Sequence, residues 1–204
     1  MVLPAVHAVA QGSSSEHGYN NLAPTAVTGR GAHAAVAAPD GAFAYVTNFL
    51  SSTVSVIDTA SNSIIATIPV GDGPGFVAVA PDGSRVYVTN ELSATVSVID
   101  AASDTVIATV QVGAFPLGVA VTPDGAHVYV ANGLSDVVSV IDTTSNTVTT
   151  NIPAGDAPFG VAVSPDGSHV YVASNNTGAL LVIDTTSNSV TATIPVGSDP
   201  TGVA

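Results

Sequence analysis

Short apolar runs with strand-like alternation fill this chain, and none of them shows the three-to-four-residue spacing of an amphipathic helix. From position 76 to 112, Val, Ala and Ile recur in short stretches closed by Gly, Pro, Asp or Asn. Period-two alternation bounded by turn residues predicts β-strands. Four are expected here, at 76–80, 85–89, 95–99 and 105–112. Pro81-Asp82-Gly83 closes the first hairpin: proline presets φ, aspartate accepts from backbone N–H groups, and glycine takes positive φ. Asp100 to Asp104 forms the third turn. Connections this short join antiparallel neighbours, so the four strands make a meander.

The whole pattern then repeats. Pro-Asp-Gly stands at Pro39-Asp40-Gly41, Pro81-Asp82-Gly83, Pro123-Asp124-Gly125 and Pro165-Asp166-Gly167, each 42 residues after the last. Tyr45-Val46-Thr47-Asn48 returns as Tyr87-Val88-Thr89-Asn90, Tyr129-Val130-Ala131-Asn132 and Tyr171-Val172-Ala173-Ser174. Val56-Ile57-Asp58 returns at Val98, Val140 and Val182. A four-stranded unit repeated at about 40–45 residues predicts an all-β fold, a β-propeller of four-stranded antiparallel blades. Pro69, Pro153 and Pro195 fall in the fourth strand, where a missing N–H is tolerated only at an edge, so that strand is outermost. The first strand, as in Gly118-Val119-Ala120-Val121, is small and apolar throughout. It is placed innermost, with burial expected on both faces.

These marks resemble the YVTN family of β-propeller repeats, WD40-like in architecture and named for the tetrapeptide at Tyr45–Asn48 and Tyr87–Asn90. The resemblance runs over residues 32–204. It implies a propeller, commonly seven-bladed, at a bacterial or archaeal cell surface or in the periplasm, serving as a scaffold; no catalytic residue carries over. Residues 32–204 are expected to hold four blades and, at Thr201-Gly202-Val203-Ala204, the start of a fifth. Residues 1–31 are expected to be irregular, with a decayed last strand: Asn20, Leu22, Thr25 and Gly29 lie one period before Asn62, Ile64, Thr67 and Gly71. Both ends therefore read as cut. A partial propeller is expected, a fragment or an open arc whose bare edges invite self-association. Ala8-Val9-Ala10 before Gln11 matches the close of a signal peptide, without its basic start or full apolar core. An extracellular, cell-surface or periplasmic location is the resulting expectation.

Composition narrows the functions. The net charge is -13 with two cationic residues, Arg30 and Arg85. Nucleic-acid binding needs Lys and Arg to neutralise phosphates, so neither DNA nor RNA is an expected partner. No apolar run reaches the ~18 residues of a membrane span. The absence of cysteine excludes disulfides, thiolate metal sites and thiol nucleophiles.

Eight of the 15 acidic residues recur at two turn positions (Asp40, Asp82, Asp124, Asp166; Asp58, Asp100, Asp142, Asp184). Turn capping explains them better than a metal or acid–base array, since successive blades hold such residues apart. The five histidines show no ligand spacing. Ser55, Ser97 and Ser139 have no neighbouring acid or His to activate them and sit in no nucleophile elbow. No catalytic residue, metal or cofactor is expected.

Strand order puts the loops between second and third strands (49–52, 91–94, 133–136, 175–178) on the same side as the blade crossovers (72–75, 114–117, 156–159, 198–201). These loops vary while the opposite turns hardly change, and loops on a rigid scaffold carry function. The candidate ligand-binding face is therefore Glu91, Asp136, Asp72, Asp156, Phe115, Phe159 and His33. The expectation is a non-enzymatic scaffold binding a protein or surface polymer. The alternative is a lactonase- or lyase-like enzyme at the channel mouth, drawing on His33, Asp72 and Asp156.

Overall fold

The computed structural model of the protein describes residues 31–204. The expected decayed strand at 20–29, the signal-like start, Arg30, His7 and His17 lie outside the described residues.

Among the described residues, sixteen strands form four separate four-stranded antiparallel sheets. Blade 1 is β1 (Ala32–Ala37), β2 (Phe43–Asn48), β3 (Thr53–Asp58) and β4 (Ser63–Pro69). Blade 2 is β5 (Pro74–Val79), β6 (Arg85–Asn90), β7 (Thr95–Asp100) and β8 (Thr105–Gln111). Blade 3 is β9 (Pro116–Val121), β10 (His127–Asn132), β11 (Val137–Asp142) and β12 (Thr147–Pro153). Blade 4 is β13 (Pro158–Val163), β14 (His169–Ser174), β15 (Ala179–Asp184) and β16 (Ser189–Pro195). The fold is a partial propeller. Strands run in sequence order within every blade, and the proline-bearing fourth strand is the outer edge, as its missing N–H requires.

First strands pack on one another from blade to blade: β1 on β5, β5 on β9, β9 on β13. They are innermost, yet Val119, Ala120 and Val121 are only half-buried. The expected burial on both faces is not reached because four blades make an arc, and the channel side of the inner strands stays open. The core lies between blades, in three layers of nearly continuous Val and Ile from the middle strands. Tyr45, Tyr87 and Tyr129 are each 1% exposed beneath the following blade, whereas Tyr171 in blade 4 is only half-buried.

The turns do what their residues suggest. Asp58 Oδ1 accepts from the backbone N and Oγ of Ser61 (2.7 and 2.6 Å), and Asp100, Asp142 and Asp184 repeat this. Asp82 Oδ1 accepts from Ser84 N at 3.0 Å, and Asp124 and Asp166 act alike. Donors aimed at the ionised form lower these carboxyls below the usual carboxylate range. Asp166, held by the Ser164 hydroxyl and then by Ser168, reaches about 2.

The asparagine that ends β2, β6 and β10 also has a local task. Asn48 Nδ2 donates to Ser55 Oγ at 3.0 Å, Asn90 to Ser97 at 2.9 Å and Asn132 to Ser139 at 2.9 Å. These bonds tie second to third strand inside the core and explain the recurring serines without chemistry. Thr47 and Thr89 stitch the irregular inner strand: Thr47 Oγ1 accepts from Ala34 N and donates to the Gly75 carbonyl of the next blade (3.0 and 2.7 Å), and Thr89 Oγ1 accepts from Phe76 N at 3.0 Å.

Candidate functional site

Loops between second and third strands do meet the crossovers. Glu91 N donates to the Gly73 carbonyl at 2.9 Å, and Leu92 N to the Asp72 carbonyl at 3.1 Å. Gly133 N and Leu134 N make the same pair of bonds to Phe115 and Ala114 in blade 3. One crossover position is left-handed in every case: Gly31, Gly73, Phe115, Ala157 and Asp199 all have positive φ. Glycine takes this conformation freely, so Phe115 at φ 57 is held there against its preference by the surrounding bonds.

The seven candidate residues divide into two groups. Asp72, Asp136 and Asp156 are exposed and serve as loop ties. Asp136 Oδ1 accepts from Ala157 N at 3.0 Å, Asp156 Oδ1 from Asn176 Nδ2 at 2.9 Å, and Asp72 Oδ1 from Ser52 Oγ at 3.3 Å. Each links one blade's loop to the neighbouring crossover, and nothing gathers them at one point. Phe115 stays in its own crossover.

His33, Glu91 and Phe159 converge instead. His33 on β1 lies edge-on to Phe49, with ring centroids 5.8 Å apart, and tilted against Phe76 at 5.7 Å. Phe76 on β5 meets Phe159 on β13 edge-to-face at 5.7 Å, a contact that passes over blade 3. At the position of Phe76, blade 3 has Gly118, where a side chain would collide with the Phe159 backbone carbonyl of the next blade. Glu91 follows β6 and lies against Gly75, where a Cβ would run into its carboxylate. The positions equivalent to Gly75 hold His33, Leu117 and Phe159, so glycine in blade 2 makes room for the acid.

Glu91 is 7% exposed, and its Oε1 has no hydrogen-bond partner. The His33 Nδ1 atom lies 3.8 Å away, within ion-pair reach but too far for a hydrogen bond. Burial raises the Glu91 carboxyl to about 7 and lowers the His33 imidazole. Neutral pH thus falls within the titration range of this acid. The described residues contain no group of three or more His, Cys, Asp or Glu placed to hold a metal. None of their helices is long and apolar enough to cross a membrane.

A family profile described as "Lactonase, 7-bladed beta-propeller" matches residues 32–194. The chain belongs to this family. Among solved structures, this lactonase-family chain is similar to Kuenenia stuttgartiensis hydrazine synthase, at 28% identity and TM-score 0.80, over 88% of this chain and 53% of that one. A functionally unknown protein from Desulfotomaculum acetoxidans DSM 771 aligns at TM-score 0.72 and 18% identity, over 85% of this chain and 60% of the other. At that identity the second likeness shows the fold alone. The lactonase-family chain therefore spans about half the length of these structures. No curated protein matches it.

Two features of the lactonase-family face were not singled out from the sequence. Phe49 and Phe76 complete the aromatic cluster, and their positions at a loop start and an inner-strand start were the available signal. Leu50, Leu92 and Leu134 recur at the 42-residue period and project from this face at 73%, 65% and 74% exposure. They lay within loops read as variable, where one constant position is easily overlooked. On the opposite face, a depression of about 390 Å³ lies between Asp82, Arg85, Asp124 and Thr143. Arg85 donates to the Thr143 carbonyl there, far from the channel mouth in each blade's strand order.

Proposed function

We propose that this chain is a YVTN-type binding scaffold, displayed outside the cytoplasm, that engages a protein or surface polymer through its loop face. The observation that carries this reading is the row of exposed leucines, Leu50, Leu92 and Leu134, one in each of blades 1 to 3 on a single face, with Asn176 at the equivalent place in blade 4. Isolated exposed apolar residues are ordinary, but a repeated row on a face of short, tied loops forms the apolar part of an interface. The loops are braced by Asp72, Asp136 and Asp156, so the face is presented with little entropy left to lose on binding.

Family membership and the Glu91–His33 pair support a second reading, lactone hydrolysis. A carboxyl near pH 7 suits a general base that activates water. A hydrolase also needs donors for the oxyanion, which backbone N–H groups or polar side chains would have to supply here, because Arg85, the sole Lys or Arg among the described residues, belongs to the opposite face.

One experiment separates the two. A Leu50→Ser/Leu92→Ser/Leu134→Ser variant should melt at the parent temperature yet lose about tenfold or more of its retention on envelope preparations, as loss of interface anchors implies. Unchanged retention would remove the leucine face from consideration. Turnover of aliphatic or sugar lactones by the parent, abolished in Glu91→Gln, would establish the hydrolase instead.

A further inference from the structure

We propose that the channel mouth beside blades 1 and 2 is a site for an organic ammonium group, taken by the Glu91 carboxylate and surrounded by Phe49, Phe76, Phe159 and His33. This deepens the reading of the loop face as a binding face and rests on it.

Four observations converge. The first is the orphaned acceptor: Glu91 is 7% exposed and its Oε1 has no donor. Buried acceptors in native proteins nearly always have partners, and Glu91 Oε1 differs from the likewise unpartnered Oδ1 atoms of Asn48, Asn90 and Asn132 in carrying charge when ionised and in lying against the inner strand at Gly75. His33 Nδ1, at 3.8 Å, does not fill that role.

The second is the distribution of aromatic rings. The chain has five Phe and no Trp. Three of those phenylalanines, Phe49, Phe76 and Phe159, join His33 in one continuous cluster from blades 1, 2 and 4. Aromatic π-faces attract cations, most strongly when the cation carries alkyl groups and sheds little hydration.

The third is the matched pair of Gly75 and Glu91. Blade 2 alone combines a glycine on the inner strand with an acid at the loop start, and any side chain at Gly75 would occupy the carboxylate's place.

The fourth is charge. The inner strands β1, β5, β9 and β13 contain no titratable side chain except His33, and residues 49–51 contain none. An anionic ligand would face Glu91 with no fixed cation to receive it. A hard metal ion would find one carboxylate where several oxygen ligands are needed. An alkylammonium supplies both the missing donor and an apolar body for the rings.

The probe is n-butylammonium, which carries N–H donors, titrated calorimetrically into the 204-residue chain, with tert-butanol as neutral control and sodium as bare cation. Saturable one-site binding of an ammonium, with neither control competing, is the expected result. Glu91→Gln should weaken it about tenfold or more, and Phe76→Leu about fivefold, as loss of charge pairing and of a π-face implies. Affinity should rise from about pH 6 to about pH 8, since the ammonium binds the ionised carboxylate of a group that titrates at about 7. If Glu91→Gln does not fold, Phe76→Leu and the pH profile decide. Absence of saturation, equal affinity for tert-butanol, or affinity indifferent to both variants and to pH would overturn the proposal. The triple leucine-to-serine variant should keep ammonium binding whether or not it loses partner retention, which separates failure of this site from failure of the scaffold reading.

Discussion

Glu91 shows how one buried side chain couples folding to pH. Its carboxyl titrates at about 7 in the folded chain, above the value of 4.5 that it starts from. The protonated form is therefore favoured by folding. Stability from this group is fully present below the unfolded value and is lost as pH rises through about 7. Glu91→Gln, neutral at every pH, should match the parent near pH 4 and exceed it by about 2–4 kcal/mol near pH 8, measured by urea denaturation. Equal stability at both pH values would mean that the acid is solvated after all. The turn aspartates run the other way: their lowered carboxyls stabilise above the unfolded value and lose that contribution as pH falls toward about 2, where Asp166 titrates. The sequence displayed those aspartates and their task because the turn is local. It did not display the burial of Glu91, which depends on Gly75 lying across the same blade and His33 on the blade before.

Strands and turns repeat their chemistry every 42 residues, which made β6, β7 and β8 legible to within a residue or so. The inner strands were legible as strands but misjudged in burial, because enclosure of the channel depends on how many blades surround it, a property absent from any one repeat. The middle strands differ sharply from the outer ones in what they contribute. Ile141 on β11 is 0% exposed in the layer between blades 2 and 3, while Ile107 on outer β8 is 48% exposed. Ile141→Ala should cost about 2–5 kcal/mol, the range for a buried isoleucine that leaves a cavity. Ile107→Ala should stay within about 0.5 kcal/mol. Comparable losses in a denaturation series would show that the outer strands share the core after all.

At the scale of the molecule, blades are joined through the interblade layers and through a few stitches such as Thr47 to the Gly75 carbonyl. The convergence of His33, Phe76 and Phe159 belongs to this scale too: three blades contribute to it, so no single repeat announced it. Among the described residues, Tyr171 of blade 4 is half-buried where Tyr45, Tyr87 and Tyr129 are 1% exposed, which makes the blades of this segment mechanically unequal. Under tension applied between residues 31 and 204, a blade clamped on both faces resists shear longer than one clamped on a single face. Blade 4 should yield first, and blades 2 and 3 at higher force. Each rupture should release about 150 Å of contour, the extended length of a 42-residue repeat. A force–extension trace with one rupture spanning the whole arc would show instead that the blades break as a single body.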